Sequence, residues 1–317
     1  MVHLEANVNQ PLDVKRIGIF LAFAFGIAWS VGLIIYLSGG IANSPALIPG
    51  TQTTLALVLI AVGYMWAPGL AHILTRWVTG EGWQGMRLAP RLKKGWVYWL
   101  AAWVLPALLT LAGVAVFFAI FPRYFDPSFS VIRSMLPAGQ ELPFSPMIII
   151  LLQLLQAILI SPLVNSLFTL GEELGWRAYL LPKLMPLGGR KAMLILGVIW
   201  GVWHWPVIAM GHNYGLNYAG APWLGMLAMV WFTLVIGIFL GWASLRGGSV
   251  WPAVIGHAAI NGIAGIGALM VQGQPNPLLG PLPTGLVASA AWSALALWLF
   301  LSPKALRPEE EASLTPA

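Results

Sequence analysis

Long apolar runs separated by short polar connections dominate this chain. Eight such runs lie between clusters of glycine, proline and charged residues. An α-helix rises about 1.5 Å per residue, so roughly 20 apolar residues cross the hydrocarbon core of a bilayer. The pattern therefore predicts an all-α polytopic transmembrane bundle of about eight spans. Their expected limits are 16–37, 54–75, 96–121, 147–170, 192–210, 223–244, 251–271 and 282–301.

The positions of the lysines and arginines predict the orientation of these spans. With the N-terminus in the cytoplasm, only Arg123 and Arg133 fall on the outer side, and Arg177 lies near the fourth span. An excess of positive charge in cytoplasmic loops is the usual rule for helical membrane proteins. We therefore expect both termini inside the cell. The basic residues assigned to the cytoplasm are Lys15, Arg16, Arg76, Arg87, Arg91, Lys93, Lys94, Lys183, Arg190, Lys191, Arg246, Lys304 and Arg307.

Composition supports a membrane protein and excludes several kinds of function. The chain is 59% hydrophobic and 8% charged, with a mean hydropathy of +0.82. Its net charge of +6 follows the membrane topology, so we expect membrane lipid and not nucleic acid as a partner. It has no cysteine, which excludes disulfides, thiolate metal ligands and a cysteine nucleophile.

We expect four regions along the chain. Residues 1–15 form a flexible N-terminus, and 16–146 contain the first transmembrane helices. The apolar run at 17–37 is longer than the core of a signal peptide, so it is expected to be retained. Residues 147–271 form a second helical core, and 272–317 hold the last helix and a cytoplasmic tail. No internal repeat of the kind found in many transporters is visible.

Three short polar islands, 172–177, 200–204 and 257–261, interrupt the apolar second half of the chain. An ionisable side chain at the centre of a membrane helix costs about 2.5–3.5 kcal/mol on insertion scales and usually marks a functional interior. Each island also has a structural explanation: a cytoplasmic helix end, a packed histidine, or a polar pair that joins two helices. Given the predicted topology, all three lie in the cytoplasmic half of the membrane, which favours a shared pocket.

The first island combines two adjacent glutamates with an arginine. Glu172 and Glu173 lie about 100° apart around a helix, so they face different directions. Glu173 and Arg177 have the i, i+4 spacing of an intrahelical ion pair. This pairing leaves Glu172 to face a cavity, where desolvation favours a general base.

The other two islands supply imidazoles and a carboxamide. Trp200 lies one helical turn before His204, and His257 lies one turn before Asn261. The last pair could donate hydrogen bonds to a developing oxyanion. Other histidines fit this chemistry less well, since His72 is expected to be interfacial and His212 to lie in an outer loop. A serine nucleophile elbow, an intramembrane aspartate pair and a phosphate-binding loop are all missing from the sequence.

The order Glu-Glu-x-x-x-Arg, aromatic-x-x-x-His and His-x-x-x-Asn resembles the CAAX prenyl protease 2-like (CPBP, or ABI) intramembrane endopeptidases. The resemblance covers roughly residues 147–265. It implies that Glu172 activates water with help from His204, and that His257 and Asn261 stabilise the oxyanion. It also implies that Glu173 and Arg177 support the site. One departure is Trp200, which stands where the family usually has phenylalanine.

The resemblance leaves the metal and the substrate open. Zinc could bind Glu172, His204 and His257, but this would remove Glu172 as the base, and the chain has no His-Glu-x-x-His motif. We therefore expect no obligatory cofactor and favour a metal-free mechanism, with zinc as the alternative. The expected substrate is a hydrophobic or lipidated peptide or protein, of the Cys-a-a-X type or another, and the expected location is a prokaryotic plasma membrane.

Two other functions compete with an endopeptidase. A non-catalytic membrane protein could keep the fold to bind a peptide or to give immunity, but such a protein has little use for an unpaired Glu172. A proton-coupled transporter could use Glu172 and His204 as a relay. The absence of repeats, and of acidic groups in the first three apolar cores, counts against transport.

Overall fold

The computed structural model describes residues 11–51, 53–135 and 143–307, and these ranges form an all-α fold without a β-strand. This confirms the predicted fold class. Most of the predicted flexible N-terminus, the last ten residues with Glu309, and the centre of the predicted outer loop 122–146 lie outside the described residues. The main helices are α1 (Val14–Leu37), α2 (Leu55–Thr79), α3 (Leu92–Ile120), α4 (Pro146–Leu159), α5 (Ser161–Gly175), α6 (Gly189–Trp203), α7 (Trp205–Ala209), α8 (Trp223–Gly247), α9 (Trp251–Ile263) and α10 (Ala290–Leu301).

Five helices in the described part of the chain are long and apolar enough to cross a membrane. They are α1, α2, α3, α8 and the segment Trp251–Met270 that contains α9. A sixth span results if α4 and the segment Ser161–Leu187 count as one, although they are bent by 49°. The expected number of eight is not confirmed, because α6 has 15 residues and α10 has 12.

Prolines mark both interruptions in the predicted fourth and fifth spans. Pro162 is the second residue of α5, just after the bend at Ile160. Pro206 is the second residue of α7, just after α6 ends at Trp203. Proline lacks a backbone N–H and is tolerated in the first turn of a helix but not in its interior. The chain therefore restarts a helix at each proline instead of continuing straight through.

Glycines allow the helices that carry the polar islands to approach their neighbours closely. A Cβ on Gly171 would lie 2.7 Å from the carbonyl oxygen of Met65, and one on Gly175 would lie 2.4 Å from Cβ of Pro68, so α5 and α2 touch backbone to backbone. A Cβ on Gly201 would likewise lie 2.6 Å from Cα of Val230, between α6 and α8. Small residues four apart give such close packing between membrane helices.

Polar side chains join α5 to α9 along their length. The amide of Asn165 donates to the carbonyl of Ala258 over 3.3 Å, and the hydroxyl of Thr169 donates to the carbonyl of Val254 over 3.0 Å. Partners one turn later on α5 lie one turn earlier on α9, so the two helices run antiparallel. Glu173 near the end of α5 also reaches His257 on α9, over 2.9 Å.

Candidate active site

The glutamate pair lies at the end of α5, where the helix changes its geometry. Residues Trp176–Leu180 form a π-helical turn directly after Gly175. Such turns are rare and occur often at functional sites. Glu172, Glu173 and Arg177 are almost completely buried, with exposures of 2%, 0% and 0%. A cytoplasmic helix end in water would leave these groups exposed, so the structure places them in the protein interior.

Glu173 is the centre of a buried charge cluster. Its Oε1 accepts a hydrogen bond from NH1 of Arg177 over 2.9 Å, so the predicted i, i+4 ion pair is present. The same oxygen lies 2.9 Å from Nδ1 of His257 on α9. An ionised carboxylate accepts hydrogen bonds, so this contact places the His257 ring proton on Nδ1. Glu173 thus fixes the orientation of His257.

Trp200 contacts Glu172, Arg177 and His257. Its indole Nε1 donates to Oε2 of Glu172 over 2.7 Å. The guanidinium carbon of Arg177 lies 4.4 Å from the ring centroid, and the His257 ring meets the indole edge-on at 5.3 Å. Among the described residues, no hydrogen bond engages Oε1 of Glu172. Trp200 therefore holds one oxygen of that carboxylate and leaves the other available.

His204 is half-buried and caps the C-terminus of α6, just before α7 begins. Its Nδ1 lies 2.8 Å from the carbonyl oxygen of Trp200. A carbonyl can only accept, so Nδ1 carries the proton and Nε2 of the neutral ring has a free lone pair. The ring of Trp203 meets the His204 ring edge-on at 4.8 Å and restricts its rotation.

Asn261 is not part of this contact network. It lies one turn after His257 on α9, but its side chain is exposed and makes no hydrogen bond to any residue that the structure describes. The contacts of Glu173 and Trp200 join the other six candidates: Glu172, Glu173, Arg177, Trp200, His204 and His257. The predicted common pocket of His257 and Asn261 is therefore not formed by direct contact.

The structure adds two residues to the surroundings of the site, Tyr64 and His72. The hydroxyl of Tyr64 donates to the carbonyl of Trp203, next to His204, and the Tyr64 and Trp203 rings lie 4.5 Å apart. His72 was expected to be interfacial, but this prediction is wrong: it is fully buried, and its Nδ1 lies 2.8 Å from the carbonyl of Leu174. A polar side chain within an apolar run was the only available signal for either residue.

The three residues considered as zinc ligands do not assemble into a metal site. Glu172 binds Trp200, His204 faces a backbone carbonyl, and His257 faces Glu173. Across residues 11–51, 53–135 and 143–307, no three histidine, aspartate or glutamate side chains are grouped so that they could hold a metal ion. A zinc site needs at least three converging protein ligands, so this donor set does not fit one as it is arranged.

Comparison with known proteins shows which family this helical unit resembles. Residues 146–263 match the model for the type II CAAX prenyl endopeptidase Rce1-like family. The matched segment is similar to that family. It begins with the first residue of α4 and ends with the last residue of α9, so it contains all three polar islands. The predicted family resemblance is thereby confirmed.

A curated relative supports the same assignment. The chain is 33% identical over 93 residues to CAAX prenyl protease 2 of Methanococcus maripaludis. The alignment covers 28% of this chain and spans about a third, 34%, of the relative's length. The helices α1–α3 lie outside the family match at residues 146–263.

Proposed function

We propose that this protein is an intramembrane endopeptidase whose Glu172 activates a water molecule for attack on a peptide bond. The observation that carries the proposal is the state of the Glu172 carboxylate. It is buried, Trp200 holds its Oε2 over 2.7 Å, and its Oε1 has no hydrogen-bond partner among the described residues. A buried, oriented carboxylate with one free oxygen is suited to accept a proton from water. The match to the Rce1-like family around it supports peptide hydrolysis.

Glu172 and His204 both act on the attacking water molecule. Oε1 of Glu172 accepts one water proton, while the free Nε2 lone pair of His204 accepts a hydrogen bond from the other. The water oxygen then forms a bond to the carbonyl carbon of the peptide, and the carbonyl becomes an oxyanion. When the C–N bond breaks, Glu172 returns its proton to the leaving nitrogen. The products are a carboxylic acid and an amine, and transfer of the acid proton to the amine gives a carboxylate and an ammonium, so all atoms and charges balance.

His257 and Asn261 stabilise the oxyanion in this scheme. The neutral His257 ring has its proton on Nδ1, facing Glu173, so Nε2 can donate only when the ring is charged. Oε1 of Glu173 lies 2.9 Å from that Nδ1 and orients the ring, as a carboxylate does for a histidine in hydrolytic triads. The exposed amide of Asn261, one turn along α9, supplies a second donor without displacing an existing partner.

No step of this scheme uses a metal ion. Each candidate ligand already has another role, because Glu172 acts as base, His204 orients water and His257 donates to the oxyanion. Because Glu172 cannot serve as base while its free oxygen binds zinc, the two mechanisms are exclusive. Addition of a chelator and then of zinc to purified protein distinguishes them.

The apolar helices and the archaeal relative support a proposed location and substrate. Five helices could cross a membrane, so the protein is membrane-integrated and its partners are lipids and membrane-associated chains. The name of the archaeal relative supports a prenylated Cys-a-a-X substrate, cut near the cytoplasmic face of a prokaryotic plasma membrane. The polar site lies among apolar helices, which also suits an unmodified hydrophobic peptide.

Two peptides of equal sequence, one prenylated on its cysteine and one not, test the proposal. Purified protein in nanodiscs should cleave at least one of them, and mass spectrometry of the products identifies the bond. The variant Glu172→Gln should bind the peptide without cleaving it, which separates catalysis from binding. If wild type and variant both bind and neither cleaves, the protein is a binding or immunity protein of the same fold.

A further inference from the structure

His72 on α2 forms a buried bridge between two other parts of the protein. Its Nδ1 lies 2.8 Å from the carbonyl oxygen of Leu174, and Nε of Arg76 donates to its Nε2 over 2.6 Å. A guanidinium has no acceptor, so Nε2 must accept and the ring proton must sit on Nδ1. His72 is therefore a neutral ring that donates to the Leu174 carbonyl.

The Leu174 carbonyl is a sensitive point of the candidate site. Leu174 follows Glu172 and Glu173 directly and precedes the π-helical turn Trp176–Leu180. A π-turn shifts the backbone pairing from i+4 to i+5, so the hydrogen bonding of the helix changes next to Leu174. A carbonyl oxygen has two lone pairs and can accept from a side chain in addition to a backbone donor. His72 supplies a donor at this position.

Arg76 connects the bridge to the loop after α2. Its NH1 donates to the carbonyls of Gly82 and Gln84, and the residue is only 6% exposed. The Tyr179 ring of the π-turn packs against His72 at 4.7 Å between ring centroids. The close contact of Gly69 with Gly171 brings the two helices within reach of each other. A continuous series of hydrogen bonds thus links loop 82–84, through Arg76 and His72, to the backbone beside the glutamates.

We propose that His72 is a positioning residue that anchors the π-turn and thereby sets the directions of Glu172 and Arg177. The inference rests on the proposed function, because it concerns the same glutamate. His72 does not touch the reacting atoms. Its donor at Nδ1 acts on the backbone, whereas its acceptor at Nε2 keeps the ring in the correct tautomer.

Three substitutions separate these contributions. His72→Asn keeps a donor near the position of Nδ1 but does not reach Arg76, and His72→Gln places its amide near Nε2. His72→Phe keeps a ring against Tyr179 and removes both hydrogen bonds. A 1 Å displacement of a catalytic group can cost about a hundredfold in rate. We therefore expect His72→Phe and His72→Gln to lose roughly ten- to hundredfold in kcat with little change in KM, and His72→Asn to stay within about threefold of wild type.

Hydrogen–deuterium exchange of the amides in 172–180 gives a second measurement that does not depend on cleavage. His72→Phe should speed exchange there, and His72→Asn should not. Equal kcat in His72→Phe and wild type, or equal losses in His72→Phe and His72→Asn, would overturn the inference. If wild type cleaves no peptide, the proposed function fails, and exchange alone decides: unchanged exchange in His72→Phe rejects the anchor, while faster exchange rescued by asparagine supports it.

Discussion

The indole N–H of Trp200 donates to Oε2 of the buried carboxylate of Glu172 over 2.7 Å. The two residues are 28 positions apart in sequence and lie on α6 and α5. Trp200 also covers the guanidinium of Arg177 and meets the edge of the His257 ring. One side chain thus contacts the proposed base, its supporting arginine and the proposed oxyanion donor.

Trp200→Phe tests this connection. Phenylalanine keeps an aromatic face for Arg177 but removes the donor to Glu172, so one carboxylate oxygen becomes unsatisfied in the interior. We expect a loss of about 1–3 kcal/mol in the free energy of unfolding and a fall in kcat. Denaturant titration in detergent and peptide cleavage measure the two effects. Unchanged stability and turnover would show that the indole N–H does not orient Glu172.

Arg177→Met tests the buried ion pair. Glu173 and Arg177 have no solvent exposure, and Nε and NH2 of Arg177 have no hydrogen-bond partner among the described residues. Removing one partner of a buried pair leaves an uncompensated charge and typically costs about 3–5 kcal/mol. The free energy of unfolding should fall by this amount. In the double variant Glu173→Gln/Arg177→Met the loss should be smaller than the sum of the single losses, and strict additivity would contradict the pairing.

Gly175→Ala tests the close contact of α5 with α2. The new Cβ would lie 2.4 Å from Cβ of Pro68 and 2.6 Å from its carbonyl carbon and oxygen, so the backbone must move. We expect a loss of about 1–3 kcal/mol in stability and reduced cleavage, because Glu172 is on the displaced helix. The matched control is Gly18→Ala on α1, where nothing lies within 4 Å of the new Cβ. The control should be neutral or slightly stabilising.

Several parts of the site were predictable from sequence because they depend on local spacing. The i, i+4 interval gave the Glu173–Arg177 pair, and polar residues within an apolar stretch gave the three polar islands, whose roles the family resemblance implies. The contact of His257 with Glu173 joins two helices 84 residues apart, and no spacing rule contains it. The bend at Ile160 and the early end of α6 were missed because hydropathy averages over the prolines that interrupt a helix.

The burial of His72 was missed for a related reason. Its place near the end of an apolar run suggested an interfacial side chain, but glycines at 69 and 171 bring α5 over it. Close approach of two backbones is a tertiary property. The spacing of His72 and Arg76, one helical turn apart, is visible in the sequence. The carbonyl that His72 faces, that of Leu174, is known only from the structure.

Asp126 lies outside the membrane helices, and its pKa makes the stability of the protein depend on pH. Hydrogen bonds from the side chains of Ser128 and Ser130 hold the pKa of the Asp126 carboxyl well below its usual range. A lowered pKa in the folded state stabilises the protein above the unfolded pKa of about 3.9, and the contribution is lost as the pH falls towards the folded value. The difference in unfolding midpoint between wild type and Asp126→Asn should therefore be largest at neutral pH and shrink below about pH 4. A difference that does not vary with pH would contradict this.

The most direct test of the central claim compares wild type with Glu172→Gln and Glu81→Gln in one cleavage assay, with and without a chelator. Glu81 is a matched control, since it bonds to Tyr179 and Lys183, has no hydrogen bond or ion pair with Glu172, and as glutamine keeps an acceptor for the Tyr179 hydroxyl. If Glu172 is the base in a metal-free mechanism, wild type and Glu81→Gln should cleave the peptide and folded Glu172→Gln should not. The chelator should have no effect. Cleavage by Glu172→Gln would contradict the role of Glu172, and activity that is lost with chelator and restored by zinc would contradict the metal-free mechanism.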